Sequence, residues 1–167
     1  MNFTFKMSEN DEKFEAVDSG ASDFYPTDVG SVKAGQYVVI QNRPCKVVHV
    51  DHFKVGKHGS AKANITGIDI FNEKKMLVNL PCSASINVPY IKRTPYTVIN
   101  VDEEGFLSLM DKQGSLKQDL KLPDETENDK VLVARLREWM SGGKEITVTV
   151  TESLKIEKVT EIASKSK

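Results

Sequence analysis

The sequence predicts a mostly β, nearly all-β protein made of two small barrels in tandem, the second of which contains one helix. Short runs of apolar and β-branched residues recur between turn residues from residue 25 onward. A helical apolar period of three to four residues appears between residues 128 and 143. Two prolines bracket a charged stretch at residues 89–95, which is the expected boundary between the halves of this 167-residue chain.

The first 24 residues are rich in acids and poor in apolar side chains. Such a segment cannot bury enough surface to offset its chain entropy, so residues 1–24 are expected to form a disordered acidic tail. The first barrel is assigned to residues 25–92, because several short strands at this spacing are typical of a small barrel. Its strands are predicted at residues 37–40, 45–50, 63–71 and 75–80, with a fifth candidate at 85–89.

The second half, residues 93–163, combines strands with the single helix and fits an OB fold. Leu132, Leu136 and Trp139 form the apolar stripe of the helix, with Asn128 or Asp129 expected as its N-cap. Residues 153–163 fit either a strand or a helix, and residues 164–167 are expected to be frayed. The strands of this half are predicted at residues 96–101, 106–110, 115–122 and 145–151.

The formal charge of −1 conceals a strong segregation along the chain. Residues 1–24 carry two lysines against six acids, for a net charge of −4. Residues 25–93 carry ten basic residues against four acids, net +6, and residues 94–167 carry eleven against fourteen, net −3. A basic segment between acidic flanks indicates a polyanionic partner for the middle third alone, although a small basic domain can also be merely soluble.

Neither a membrane span nor a secretory signal is recognisable in this sequence. Two cysteines are too few for a disulfide framework, so a cytoplasmic protein is expected.

The candidate functional element is a glycine-punctuated basic loop at residues 51–62, between two predicted strands. Gly56 and Gly59 flank Lys57 and His58, and are expected to shape the turn because glycine adopts positive φ without steric cost. The loop contains no acid after Asp51, so its basic side chains are expected to project unpaired. Lysines in such loops are most often simply solvated, but these can also engage RNA phosphates. The candidates for phosphate contact are Lys54, Lys57, His58 and Lys62.

Other chemistries fit poorly. Cys45, His49 and His52 are close in sequence, but their spacing matches no strong zinc pattern and no fourth ligand follows. Strand alternation instead places Cys45, Val47 and His49 on one packed face. No cysteine or histidine belongs to a nucleophilic motif, and a catalytic Schiff-base lysine would need burial rather than exposure. We therefore predict a protein that is not an enzyme and that binds neither a metal nor a cofactor.

The amino-acid sequence of the loop resembles that of a known family. Residues 56–62, Gly-Lys-His-Gly-Ser-Ala-Lys, resemble the hypusine loop of the eukaryotic translation initiation factor 5A family. Three departures stand beside this match: Val55, Ser60 and the pair His52-Phe53 replace residues that are commoner in the family, and Ser60 removes one potential phosphate contact. Further matches follow the family's order at residues 18–22, 43–46, 67–71, 91–93, 105–110 and 119–123.

The resemblance implies an SH3-like first barrel, an OB-fold second domain and hypusine at Lys57. Hypusine forms when deoxyhypusine synthase adds an aminobutyl group from spermidine and deoxyhypusine hydroxylase then hydroxylates it. The resemblance further implies a monomeric factor that binds the large ribosomal subunit beside peptidyl-tRNA, with no membrane contact and with nuclear passage allowed. It would promote peptide-bond formation at stalled sequences such as proline runs, and assist elongation and termination. The alternative is an unmodified RNA-binding adaptor that uses the same basic loop.

Overall fold

The structure is a computed structural model that describes residues 22–57 and 59–165. Most of the predicted tail, His58 and residues 166–167 lie outside the described residues. A mostly β fold with one α-helix is confirmed.

The α-helix is α1 (Glu127–Ser141), and a short 3-10 helix spans Val29–Ser31. The strands are β1 (Phe24–Asp28), β2 (Tyr37–Ile40), β3 (Arg43–Lys54), β4 (Ala61–Asp69), β5 (Lys75–Pro81), β6 (Ser85–Pro89), β7 (Lys92–Val101), β8 (Leu107–Met110), β9 (Leu116–Lys117), β10 (Glu145–Ser153) and β11 (Ile156–Lys165).

The first barrel combines an antiparallel sheet in the order β2-β3-β4-β5 with a second sheet of β1 and β6. Alternate residues of these strands face one interior, because side chains of a strand point to opposite faces in turn. The residues buried there are Val29, Val32, Val38, Ile40, Cys45, Val47, Ala63, Ile65 and Ile86.

Strand β1 was not predicted, and its first residue, Phe24, falls within the expected tail. The strand contains Pro26 and has mostly exposed residues, so its own pattern is weak. Antiparallel pairing with β6, from Phe24 opposite Pro89 to Asp28 opposite Ser85, is what makes it a strand.

Strand β3 is longer than predicted and contains an irregularity that the sequence did not reveal. The register against β4 shifts between Val47 and His49, which is the signature of a β-bulge at Val48. The extra residue reverses the alternation, so Val47 is buried whereas His49 is exposed. The expectation that His49 packs beside Cys45 and Val47 was therefore wrong.

The second barrel is a sheet in the order β11-β10-β7-β8-β9 with α1 against it. The ambiguous stretch at residues 153–163 is largely strand β11, because it pairs with β10 along its whole length. That strand includes Ser164 and Lys165, which were expected to be frayed. Strand β9 has only two residues, against the eight predicted, because regular pairing with β8 is interrupted after Lys117 and resumes only as an isolated bridge between Lys121 and Phe106. The buried core is Leu107, Leu109, Leu136, Ile146, Val148, Val150 and Val159.

Helix α1 begins earlier than its expected caps. Thr126 is the N-cap, and its hydroxyl accepts from the backbone N–H of Asp129 at 2.9 Å. The Asp129 carboxylate accepts in return from the N–H of Thr126 at 3.1 Å, which completes a capping box. Asp129 is thus the third residue of the helix and not its cap. No helix in the described part of the chain is long and apolar enough to cross a membrane.

Candidate functional site

The basic loop is the connection of the β3–β4 hairpin. Pairing of the two strands continues to Lys54 opposite Ala61, so the unpaired tip loop is residues 55–60 and is shorter than predicted. Strand β5 accompanies β4 to Lys62 opposite Pro81, and the N–H of Cys82 donates to the carbonyl of Ala61 at 2.9 Å. The sheet therefore supports the hairpin up to the tip loop, which alone extends beyond it.

Two glycines shape the tip loop for different reasons. Gly56 has φ of +72°, in the left-handed region that other residues rarely adopt, and its missing side chain would meet open space. Gly59 is not in that region, but a Cβ there would lie 1.3 Å from the carbonyl oxygen of Val55. The expected shaping role of both glycines thus has a structural basis, although only Gly56 uses positive φ.

Lys57 lies in the turn between these glycines and is exposed. Among the described residues, no carboxylate lies within ion-pair distance of its ammonium group. His58, its neighbour and a predicted phosphate contact, lies outside the described residues. The Lys57 side chain is therefore neither buried in the barrel nor paired with a described acid.

The two remaining lysines of the site leave opposite faces of the hairpin. Lys54 is opposite Ala61, whereas Lys62 is opposite Phe53, one position away. Directly paired residues share a face and neighbours alternate, so Lys54 and Lys62 point to different sides. Lys54 is exposed and Lys62 is half-buried. The structure thus places all three lysines around the tip but does not gather them into one cluster.

The two acids nearest the tip loop in sequence each have a polar partner, Asp51 at the surface and Asp69 inside the barrel. Asp51 lies 2.8 Å from Nε2 of His49. Asp69 is only 1% exposed, and Nε of Arg43 donates to it at 2.6 Å. Backbone N–H groups of Phe71 and Asn72 also donate to Asp69, at 2.8 and 3.2 Å.

These contacts decide the ionisation of Asp69. Burial raises the pKa of the Asp69 carboxyl, but the hydrogen bonds from Arg43, Phe71 and Asn72 outweigh it, so the net shift is downward. The bond to Asp69 also raises the pKa of Arg43. Since Asp69 and Arg43 compensate each other, the exposed charges nearest the tip loop are those of Asp51, Lys54 and Lys57, whose balance is positive and suits an anionic partner.

Cys45 is fully buried beside this pair, and burial raises the pKa of its thiol to about 11. A thiol of that pKa is almost entirely protonated at neutral pH and is a poor nucleophile or metal ligand. Within residues 22–57 and 59–165, no three His, Cys, Asp or Glu side chains are grouped as metal ligands.

The second barrel presents a different surface. The Lys117 ammonium lies 3.0 Å from carboxylate oxygens of both Asp119 and Glu157. Burial lowers the pKa of Lys117, but its bonds to these two carboxylates outweigh that effect and raise it. The charge of this lysine on the β9 edge is thus compensated locally, unlike that of the hairpin lysines.

Sequence reasoning did not find the hydrophobic surroundings of the hairpin lysines or the contacts between the barrels. Phe53, opposite Lys62, remains 37% exposed and Val55 remains 53% exposed. One of the contacts between the barrels joins Lys158 to Phe71, which is 87 positions away. No local pattern distinguishes such a lysine from its solvated neighbours.

Comparisons with known proteins agree along almost the whole described chain. Residues 22–84 match the family model described as translation initiation factor 5A-like, N-terminal. Residues 90–163 match the model described as eukaryotic elongation factor 5A hypusine, DNA-binding OB fold. Together with the structural similarity below, these matches confirm the expected SH3-like barrel followed by an OB fold.

Named relatives are similarly consistent. The chain is 41% identical over 153 residues to eukaryotic translation initiation factor 5A-1 of Arabidopsis thaliana, covering 92% of this chain and 94% of that protein. It is 43% identical over 155 residues to eukaryotic translation initiation factor 5A of Zea mays, with the same coverage.

Two solved structures share the arrangement. One is a translation initiation factor eif-5a family protein from Naegleria fowleri, with a TM-score of 0.79 and 44% identity. It is matched over 84% of this chain and 99% of that one. The other is eukaryotic translation initiation factor 5A from Methanococcus jannaschii, with a TM-score of 0.62, 29% identity, and coverage of 84% and 96%.

Proposed function

The chain belongs to the eukaryotic translation initiation factor 5A family, whose members are translation factors and not enzymes, and on this basis we propose that Lys57 is its hypusine residue. One observation carries the proposal: Lys57 is exposed in a two-glycine turn beyond the sheet, and has no described carboxylate partner. An enzyme can reach such a side chain, and the modified side chain can extend outward.

The modification changes both the reach and the charge of the side chain. Adding an aminobutyl group from spermidine lengthens the side chain and replaces one ammonium by a secondary and a primary amine. Two positive charges on a thin stem can enter an RNA-lined cleft that excludes the barrel. Each amine gains from nearby phosphates, because charge-assisted hydrogen bonds are the stronger ones. Deoxyhypusine synthase and deoxyhypusine hydroxylase are the enzymes that this chemistry requires.

The proposed action is to bind the large ribosomal subunit beside peptidyl-tRNA, in the cytoplasm and as a monomer. There, hypusine at Lys57 would steady the acceptor end of the tRNA at slow sequences such as proline runs, and assist elongation and termination. Peptide-bond chemistry stays with the ribosome, and the factor contributes orientation of the reacting ends.

The other basic residues would hold RNA phosphates around this side chain. Lys54 and Lys62 face opposite sides of the hairpin, so they suit phosphates on the two sides of a cleft better than one shared phosphate. His58, between Lys57 and Gly59, is proposed as a third contact from sequence position alone.

Mass spectrometry of the peptide that contains Lys57, taken from native cells, tests the modification. The peptide should carry the mass of hypusine, and an unmodified lysine would instead support an adaptor that binds RNA through the bare loop. In a reconstituted system, Lys57→Arg should retain the fold but lose stimulation of synthesis through proline runs. The exposed substitution Lys46→Arg on β3 is the matched control and should stimulate normally. Equal stimulation by both variants would overturn the proposed role.

A further inference from the structure

One buried lysine connects the two barrels. Lys158 lies in β11 and is only 9% exposed. Its ammonium donates to the carbonyl oxygen of Phe71, in the first barrel, at 2.6 Å. The same nitrogen lies 2.6 Å from Oδ2 of Asp129 and 3.4 Å from Oε1 of Glu125, both in the second domain. An ammonium has three donors, and three oxygens are placed here to accept them.

In the second barrel, backbone N–H groups at the start of α1 hold the Asp129 carboxylate that accepts from Lys158. Oδ2 of Asp129 also accepts from the backbone N–H of Glu125 at 2.9 Å and of Thr126 at 3.1 Å. The carboxylate that binds Lys158 is therefore the one that completes the capping box of α1 with the N-cap residue Thr126. Any movement of Lys158 relative to Asp129 disturbs the start of the helix.

The acceptor on the side of the first barrel is equally fixed. Phe71 is 2% exposed, and its N–H donates to Asp69, which Arg43 binds at 2.6 Å. Arg43 is the first residue of β3, the strand that continues into the hairpin. A continuous series of polar contacts therefore links the base of β3, through Lys158, to the first turn of α1.

Two further contacts flank Lys158. Nδ2 of Asn128 donates to a carboxylate oxygen of Glu73 at 2.8 Å, beside the same turn of the first barrel. The hydroxyl of Ser153 donates to the carbonyl of Tyr90 at 2.9 Å, where the chain passes from one barrel to the other. The first of these contacts is exposed, and the second joins two neutral groups at the linker, so among these contacts Lys158 supplies the buried positive charge, paired with the buried Asp129.

A buried charge makes the arrangement specific. Each barrel has its own core, so the cores alone do not dictate the angle between the barrels, which are joined by only two residues between β6 and β7. Rotation of one barrel would remove the Phe71 carbonyl from Lys158. A buried ammonium that loses an acceptor is strongly unfavourable, so alternative angles are disfavoured.

We propose that Lys158 is a positioning residue, which holds the OB fold against the first barrel at one angle and thereby sets where Lys57 lies relative to the OB fold. The consequence for translation rests on the function proposed above, whereas the fixed angle does not. Lys57 can reach its target with the OB fold bound elsewhere on the ribosome only if that angle is maintained.

Residual dipolar couplings of the full-length protein test the angle. Couplings from both barrels of the wild type should fit a single alignment tensor. The double variant Lys158→Met, Asp129→Asn removes both charges together and leaves an amide oxygen that can still accept from the N–H of Thr126, so each barrel should fold but require its own tensor. Lys112→Met, at an exposed lysine in the turn between β8 and β9, is the control and should keep one tensor. A single tensor for the double variant would overturn the proposal.

A second measurement needs no substitution. In protein with ¹⁵N-labelled lysine side chains, the Lys158 ammonium should exchange its protons with water more slowly than the exposed Lys155 ammonium. Slow exchange is expected because three oxygens accept its donors within the interface. Exchange as fast as that of Lys155 would show that the interface is not formed in solution, and the proposal would fail.

A translation assay with hypusine-modified proteins tests the consequence. The double variant should need on the order of tenfold to a hundredfold more factor for half-maximal synthesis through a proline run, because an unfixed Lys57 is poorly oriented. If the wild type itself gives no stimulation, the proposed function fails, but the fixed angle shown by the residual dipolar couplings is unaffected. If the wild type stimulates and the double variant matches it at every concentration, the positioning role is wrong.

Discussion

The carbonyl oxygen of Val55 occupies the place where the side chain of any other residue at position 59 would begin. A Cβ on Gly59 would stand 1.3 Å from that oxygen and 2.4 Å from its carbon. Both atoms belong to the backbone of the tip loop, so no change of rotamer can move them away. Gly56, three residues earlier, has open space around its Cβ position and is needed only for its φ of +72°.

This difference predicts unequal effects of two alanine substitutions. Gly59→Ala should change the path of the tip loop, whereas Gly56→Ala should keep it at a cost of about 1–2 kcal/mol for the left-handed backbone. Because deoxyhypusine synthase is expected to read the loop, Gly59→Ala should be modified much more slowly than Gly56→Ala. The measurement is the rate of aminobutyl transfer to each purified variant. Equal rates for Gly59→Ala and the wild type would contradict this reading of the loop.

The opposite orientations of Lys54 and Lys62 predict independent contributions to RNA binding. Each lysine that contacts a phosphate should reduce the slope of log affinity against log salt by about one when it is removed. Lys54→Ala and Lys62→Ala should therefore weaken binding additively in the double variant, since they cannot share a phosphate. Binding of a tRNA acceptor-stem RNA across a salt series measures this, with Lys46→Ala as the control. Strong non-additivity would show that the two side chains act on one site.

The Arg43–Asp69 pair predicts a stability difference that depends on pH. The folded-state pKa of Asp69 is lowered, so its contribution is fully present above its unfolded pKa, about 3.9, and is lost as pH falls through the folded value. Asp69→Asn should destabilise the fold by about 3 kcal/mol at pH 7, because Arg43 is left without its partner. Urea unfolding should show the difference from wild type narrowing toward pH 3. If the difference in unfolding free energy between wild type and Asp69→Asn stayed constant from pH 7 to pH 3, the ion pair would be excluded as its cause.

The capping box predicts which residue at the start of α1 contributes more to the free energy of unfolding. Thr126→Ala should cost about 1 kcal/mol of unfolding free energy, because the N–H of Asp129 loses its acceptor. Asn128, which the sequence offers as a cap, lies inside the helix and binds Glu73 at the surface. Asn128→Ala should therefore cost less than about 0.5 kcal/mol. Denaturant unfolding of both variants compares them, and a larger loss at Asn128 would reverse the assignment.

Local patterns in the sequence were sufficient for much of this protein. The turn residues and alternation located β2, β5 and β6 to within a residue, and the apolar period located α1. The sequence around Lys57 indicated the family, and the comparisons show that the chain belongs to it. These signals succeed because turns, alternation and helical period depend on residues close together in the chain.

Other features depended on residues that meet only in the folded chain. The bulge at Val48 turned His49 outward, pairing with β6 made a strand of residues with little β pattern, and the register placed Lys54 and Lys62 on opposite faces. The buried Lys158 joined two barrels whose sequences give no sign of one another. The sequence alone therefore determined most of the elements and the position of the candidate lysine, Lys57. Tertiary structure decided which face of a strand each side chain occupies and how the two barrels are oriented, because strand register and buried charge pairs are set by distant partners.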